Sequence, residues 1–154
     1  MRRVFVYEIP NVTNEQLSAY NIKEIKLSYY ERQKVRQKIK IEEELEIIII
    51  LKDRTHIRPF SYIYIDSSSK TAYKVVPLEE ECLVIEVDAP LSYLLLGHIL
   101  GNMHLPIGIW ENKVTTIFDP TVEYRLNKYG FKTNRLIVPF VELSEHTEHM
   151  HSHG

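Results

Sequence analysis

Histidines are concentrated near one end of the 154-residue chain, in the segment ELSEHTEHMHSHG at positions 142–154. Four of the seven histidines fall there, namely His146, His149, His151 and His153. Imidazole binds transition metals, and a short histidine-rich tract can do so without a packed core. A remnant of a purification tag is the alternative, although such tags are usually uninterrupted histidine runs, whereas these are interleaved with Thr, Glu, Met and Ser.

A further candidate ligand is His104, in the stretch GHILGNMHLP at positions 97–106. His98 lies within a predicted helix, whereas His104 follows a Gly-Asn helix stop and precedes Pro106, so we expect its ring to point outward. A single imidazole does not hold a divalent ion tightly, because such sites usually take three to six ligands. Two-fold symmetry would present His104 twice across an interface. A histidine with a purely structural role is the simpler alternative.

The segment 23–40 contains seven basic and two acidic residues, together with Tyr29 and Tyr30. An RNA-contacting patch is one interpretation. An RNA-recognition fold would, however, carry aromatic residues on its third strand, and the corresponding stretch KVTTIF has no stacking platform. A solvated face that balances the neighbouring acidic run EEELE is the simpler interpretation, and we do not expect a nucleic-acid partner.

The remaining polar clusters do not predict catalysis. Acidic runs at 42–44 and 79–81 could bind cations, but such runs are more often solvated surface. The single cysteine, Cys82, excludes an intramolecular disulfide and a C-x-x-C site, and it opens an apolar strand as a small buried side chain would. Because no catalytic triad order, P-loop or glycine-rich nucleotide loop is present, we predict that the protein is not an enzyme.

The composition predicts one or two small domains with real cores, since 44% of the residues are hydrophobic. The net charge of −2 provides no global attraction to nucleic acid or membrane. The first apolar run is too short for a signal peptide, and no stretch approaches the roughly 18 apolar residues of a membrane span. We therefore expect a soluble, cytoplasmic protein with no membrane partner.

Two halves differ in periodicity, which predicts an α+β protein. Residues 1–78 predict a small all-β domain of sandwich or barrel type, with Phe60, Tyr62 and Tyr64 on one face of a strand. Its predicted strands are RVFVYEI, EIIIIL, FSYIYID and TAYKVV. Residues 79–143 alternate in the order β-α-β-β-α-β, which predicts a ferredoxin-like domain. We expect residues 144–154 to form a flexible, histidine-rich tail.

The predicted elements of the second domain have recognisable ends. In the first helix, Asp88 is the predicted N-cap and Pro90 lies near the first turn, and apolar residues 91, 94, 95 and 99 lie along one stripe. Glu111-Asn112 is a predicted two-residue hairpin connection. The second helix should run from an Asp119 N-cap and Pro120 to a stop at Gly130. In the closing strand RLIVPFVEL, Pro139 favours an edge or strand-end position.

Taken together, these motifs resemble UreE, the family of urease accessory nickel metallochaperones. The resemblance rests on YYERQKVRQKIKI, LGNMHLPIGI, DPTVEYRLNKYGF and the histidine-bearing tail, and it covers nearly the whole chain. Its GN-x-H-x-P core is fairly specific, and ERQK-x-RQ adds independent support.

The resemblance implies a function and a site. Each protomer of a homodimer would contribute His104 to an interfacial Ni²⁺ site, and the tail histidines would add ligands. The N-terminal domain would be of the partner- or peptide-binding type. The protein would pass nickel toward apo-urease together with a urease accessory GTPase. Imidazole and carboxylate also suit Zn²⁺ and Cu²⁺, and a divalent-metal storage protein remains an alternative.

Two departures from the family pattern affect the expected site. Some members carry two further histidines near the last helix, and the matching positions here are Phe118 and Pro120, which puts an auxiliary metal site in doubt. The position before the histidine of the motif, often Arg in the family, is Met103.

Overall fold

The computed structural model describes residues 1–53 and 55–143. The chain is mixed α+β and divides into two compact units, Met1–Pro77 and Leu78–Gly154. None of the helices in the described residues combines the length and the apolar composition needed to cross a bilayer.

The first unit contains two three-stranded sheets and one short α-helix. Its elements are β1 Arg2–Val6, β2 Asn21–Leu27, α1 Tyr29–Gln33, β3 Arg36–Ile41, β4 Leu45–Ile50, β5 Tyr62–Asp66 and β6 Thr71–Pro77, with a 3-10 turn at Glu15–Leu17. The sheet orders are β1-β4-β3 and β2-β6-β5. The pairs β1/β4 and β2/β6 are parallel, and the pairs β3/β4 and β5/β6 are antiparallel.

Both sheets supply one apolar core. Fully buried members include Ile47 and Ile49 from β4 and Val75 from β6. The Arg2 guanidinium also links β1 to β5, because its Nη1 donates to the Asp66 carboxylate at 2.8 Å. Hydrogen bonds from Ser68 and from Arg2 hold the pKa of the Asp66 carboxyl well below its usual range.

The prediction of a purely β first domain is wrong in one element, because α1 interrupts the strands. Ser28 caps this helix: its hydroxyl accepts from the Glu31 amide at 3.2 Å, and the Glu31 carboxylate accepts from the Ser28 amide at 2.9 Å. This reciprocal pair is a capping box, and its Ser-x-x-Glu pattern is visible in the sequence. β2 and β3, which flank α1, were also absent from the predicted strands.

The prediction that three aromatic residues share a strand face is also wrong. Phe60 lies outside β5 and has a positive φ of 67°. The pairing of β5 with β6 shifts register between Tyr62 and Tyr64. Because a register shift changes the face on which side chains point, Tyr62 packs in a small cluster with Leu17, whereas Tyr64 packs against the main core.

The second unit is an antiparallel four-stranded sheet with two helices. Its elements are β7 Glu79–Glu86, α2 Pro90–Asn102, β8 Gly108–Trp110, β9 Lys113–Ile117, α3 Pro120–Lys128 and β10 Lys132–Pro139, and the strand order is β10-β7-β9-β8. Its core joins Leu83 and Ile85 of β7 with Leu96 and Leu100 of α2 and Leu126 of α3.

Several predicted ends in this unit are confirmed. The Asp119 carboxylate accepts hydrogen bonds from the Thr121 and Val122 amides, so it caps α3, and Pro120 occupies the first helical position. Glu111 and Asn112 both have positive φ, at 47° and 63°, as a two-residue type I′ hairpin turn requires. Pro139 ends β10, which is an edge strand.

In α2 the predicted first-turn position of Pro90 is confirmed, the predicted Asp88 N-cap is wrong, and most of the predicted apolar stripe is not buried. Leu91, Leu94 and Leu95 are 78%, 71% and 45% exposed, and the buried residues are Leu96, Ile99 and Leu100. Leucines occupy positions 94–96, so apolar periodicity alone does not select a face. The N-cap is Ala89 rather than Asp88, and no side chain caps it.

Candidate metal site

His104 is exposed and lies directly after the end of α2, at the C′ position of a Schellman motif. The His104 amide donates to the Gly101 carbonyl at 3.0 Å, and the Leu105 amide donates to the Leu100 carbonyl at 3.1 Å. These two bonds satisfy carbonyl groups that the helix end leaves free. The predicted Gly-Asn stop is therefore shifted, because Gly101 and Asn102 remain helical, Met103 is the C-cap, and His104 is the first residue beyond the cap.

The backbone of His104 is in the left-handed region, with φ at 55°. Glycine is the usual residue at this position, since a side chain there costs free energy. The second helix shows the usual arrangement: Gly130 has φ at 91°, and its amide and that of Phe131 donate to Asn127 and Leu126 at 3.0 Å each. His104 therefore holds the position that Gly130 holds after α3, at a cost in stability.

The connection after His104 is tied to the sheet by a buried hydroxyl group. Thr116 of β9 is fully buried, and its Oγ1 donates to the Pro106 carbonyl at 2.8 Å. Leu105 and Ile107 pack against the core of the second unit. The path of the backbone that carries His104 is thereby set from both sides. No local sequence signal predicts this role of Thr116, because its partner is ten residues away in the chain.

Residues after β10 run beside the same connection. The Leu143 amide donates to the Ile107 carbonyl at 2.7 Å, and the Ile109 amide donates to the Val141 carbonyl at 3.1 Å. This pairing needs a glycine at position 108, because an added Cβ would lie 2.6 Å from the Phe140 ring and 2.8 Å from the Val141 carbonyl. The chain that leads into the tail is thus hydrogen-bonded to Ile107, which lies three residues after His104. The predicted tail ligands His146, His149, His151 and His153 lie outside the described residues.

The described residues do not by themselves complete a metal site, since no group of three or more His, Cys, Asp or Glu residues comes together within 1–53 and 55–143. His98 is exposed on α2, and its Nε2 lies 3.1 Å from the Asn102 amide nitrogen. A cavity of about 360 Å³ beside it is lined by Leu95, His98, Ile99, Asn102, Met103, Arg125 and Tyr129.

The positions that depart from the family pattern have structural roles. The Arg135 guanidinium carbon lies 3.9 Å from the centroid of the Phe118 ring, and Pro120 begins α3. Neither residue has a side chain that binds metal. Met103 is the C-cap of α2.

Cys82 is a buried side chain, as predicted, and not an exposed nucleophile. It is fully buried in β7, and burial, with a smaller effect of Glu80, raises the pKa of its thiol to about 12. A thiol with such a pKa is almost entirely protonated at neutral pH and is a poor nucleophile and metal ligand.

The seven basic residues of segment 23–40 do not share one face. Lys23 and Lys26 lie on β2, Arg32 is fully buried, and Arg36, Lys38 and Lys40 lie on β3, which belongs to the other sheet.

These features define a two-unit α+β protein whose second unit presents an exposed histidine in an energetically costly backbone conformation. Such a residue is a candidate ligand for a metal that a second group must help to hold.

No protein-family model matches the chain. It is, however, similar over most of its length to two proteins of one name. The urease accessory protein UreE of Synechococcus sp. (strain JA-3-3Ab) is 28% identical over 112 residues, 73% of this chain and 74% of that protein. The urease accessory protein UreE of Flavobacterium johnsoniae is 23% identical over 134 residues, 84% of this chain and 78% of that protein.

Proposed function

We propose that this protein is a nickel metallochaperone of the UreE family, which binds Ni²⁺ at a dimer interface and delivers it for assembly of the urease metallocentre. It acts in the cytoplasm, with a urease accessory GTPase and apo-urease as partners, and is not an enzyme. The similarity to two urease accessory proteins supports the accessory role. The element order and the strand order of the second unit support its assignment as a ferredoxin-like domain.

The observation that carries the proposal is the conformation of His104. An exposed histidine at the C′ position, where glycine would be less costly, indicates that the imidazole itself is needed. The hydrogen bonds of the connection orient the backbone of His104 before any metal arrives. Less ordering is then required when the ion binds.

The outer surface of α2 supports a dimer that would bring together two copies of His104. Leu91 and Leu94 are both more than two-thirds exposed there, which is unusual for a monomer surface. Gly97 and Gly101 lie on the same helix, and an added Cβ at either would meet nothing within 4 Å, so another helix could approach closely. An isologous contact along the outer surface of α2, from Leu91 to Gly101, would bring the two His104 residues toward the two-fold axis.

Additional ligands can come from the tail, because the chain that leads into it is fixed beside His104. An extended chain spans at most about 3.3–3.6 Å per residue, so the six residues from Leu143 to His149 cover about 20 Å. That length is sufficient to reach His104. Ordering such a segment costs about 1–2 kcal/mol per residue, which limits the affinity. A limited affinity suits a protein that must release its cargo to a partner.

Substitution of His104 tests the site. Calorimetric titration of Ni²⁺ into His104→Ala should lose the tightest site, because one substitution removes a ligand from each protomer. The free energy of unfolding of the apo protein should change by less than about 0.5 kcal/mol, because the substituted side chain is exposed. Binding to the wild-type protein should weaken at acidic pH, since only neutral imidazole coordinates a metal.

His98→Ala is the matched control, because His98 is exposed on α2, the helix that precedes His104, and should not be required. Tight Ni²⁺ binding that persists in His104→Ala would disprove the assignment. A lower melting temperature with unchanged binding would instead give His104 a structural role.

A further inference from the structure

The outer face of the sheet β1-β4-β3 carries cross-strand rows of side chains that the nickel site does not use. Its inner face supplies core residues such as Ile47 and Ile49, so the alternate residues point away from the core. The outward rows, read from β1 through β4 to β3, are Arg3–Glu46–Lys40 and Phe5–Ile48–Lys38, followed by Ile50–Arg36 beyond the paired end of β1.

One part of this face is a continuous apolar strip. Phe5 is 54% exposed, and Tyr7, just after β1, is 49% exposed. Their rings stack with centroids 6.3 Å apart and an interplanar angle of 10°. Ile48 and Ile50 continue the strip and are half-buried. Single exposed apolar residues are common on protein surfaces, but a contiguous strip indicates a binding surface.

The other part of the face is basic. Arg36, Lys38 and Lys40 are all exposed and occupy alternate positions of β3, about 6.8 Å apart. The one carboxylate in these rows, Glu46, is already paired with Arg3 at 3.0 Å. The three cations of β3 therefore add to a local positive charge that the whole-chain charge of −2 does not reveal.

Protection of sheet edges against aggregation explains the basic residues of β3 but not the exposed aromatic residue of β1. Lysines on an edge strand prevent pairing with other chains, and β3 is an edge strand. β1 is the opposite edge of the same sheet, yet it exposes Phe5, an apolar side chain that does not prevent pairing with other chains. The aromatic strip and the basic row need a common explanation.

We propose that this face docks an extended, acidic segment of a partner protein. Carboxylates of the segment would pair with Arg36, Lys38 and Lys40, and its apolar side chains would cover Phe5 and Ile48. An extended segment places side chains of one side about 6.8 Å apart, which matches the spacing of the cations along β3. This docking is independent of the nickel site.

A polypeptide fits better than single-stranded nucleic acid, which is also anionic. Bases bind by stacking on aromatic rings. Phe5 and Tyr7 are aromatic, but they lie on or just after the edge strand β1, whereas the aliphatic Ile48 lies between Phe5 and the cations of β3. Aliphatic side chains suit the apolar groups of a polypeptide.

The test is the binding of a fluorescein-labelled peptide of alternating Glu and Leu, measured by anisotropy with the full chain. Binding should weaken with added salt. Lys38→Glu and Phe5→Ala should each reduce affinity at least about fivefold. Lys26→Glu is the control for charge, since Lys26 is exposed on the other sheet of the same unit, and Tyr30→Ala is the control for an exposed aromatic residue.

Melting curves establish that each variant is folded, and Lys38→Gln with Lys40→Gln replaces Lys38→Glu if the latter is not. Selective loss of binding in the sheet-face variants supports the proposal. Absence of peptide binding, or equal loss in the control variants, overturns it. Binding of an oligouridylate in place of the peptide, with the same dependence on Lys38 and Phe5, would assign the face to nucleic acid and also overturn it.

Discussion

At the residue scale, two adjacent threonines of β9 are equally buried, but only one of them helps to position His104. Thr115 and Thr116 are both fully buried. The Thr116 hydroxyl donates to the Pro106 carbonyl at 2.8 Å, whereas the Thr115 hydroxyl has no hydrogen-bond partner within the described residues. Pro106 is two residues after His104, so Thr116 contributes directly to the path of the backbone that presents the imidazole.

Thr116→Val should lower the free energy of unfolding by about 1 kcal/mol, since it leaves the Pro106 carbonyl without its donor. It should also weaken Ni²⁺ binding, because the connection that holds His104 becomes less ordered. Thr115→Val removes an unpartnered hydroxyl group and should leave binding unchanged and stability equal or slightly higher. Denaturant unfolding and calorimetric titration measure both quantities. Equal effects of the two substitutions on binding would remove the positioning role of Thr116.

At the element scale, the two helices of the second unit end in the same motif with different residues at C′. His104→Gly should stabilise the apo protein by about 0.5–1 kcal/mol, because glycine adopts the left-handed conformation without steric cost. The same substitution should remove the tight Ni²⁺ site. Gly130→Ala should destabilise the protein by about 1 kcal/mol, because alanine is strained in the left-handed conformation. A steric clash does not contribute, since the added Cβ would meet nothing within 4 Å. A destabilised His104→Gly protein would mean that the imidazole makes contacts that support the fold.

The outer face of α2 makes a second prediction at this scale. Leu94→Glu should convert the proposed apo dimer into an 18.2 kDa monomer and lower the affinity for Ni²⁺, because it would introduce charges into the proposed apolar contact. Tyr124→Glu on α3 is the control, since Tyr124 is 67% exposed on a helix, close to the 71% of Leu94. Light scattering gives the mass. An unchanged dimer in Leu94→Glu would place the interface elsewhere.

At the scale of the whole molecule, the question is how many ions each chain carries. Removal of residues 144–154 should lower the number of Ni²⁺ ions bound per dimer and leave thermal unfolding almost unchanged, because the segment contains little apolar surface beyond Met150. Mass spectrometry under non-denaturing conditions counts the ions. Full stoichiometry in the truncated protein would favour the interpretation of the tail as a tag remnant.

The sequence alone was sufficient where an element depends on its own residues. The Asp119 cap, Pro120 and the Gly130 stop define α3 through contacts within four residues, and the Glu111-Asn112 turn defines the β8–β9 hairpin in the same way. The capping box of α1 was equally local and could have been found. Cys82 was predicted to be buried because a cysteine in an apolar strand usually is.

Only the tertiary structure decided the features that depend on distant partners. Three consecutive leucines allow α2 to bury either of two faces, and packing against β7 and α3 selected the one with Leu96 and Leu100. The left-handed backbone of His104 follows from the motif that closes α2 and from the Thr116 hydrogen bond. The outer face of the first sheet joins β1 to the neighbouring strands β3 and β4, and β1 pairs with residues of β4 that lie more than forty positions away in the chain. Local chemistry sets where elements begin and end, but long-range packing sets which side chains they present, and the candidate sites consist of those side chains.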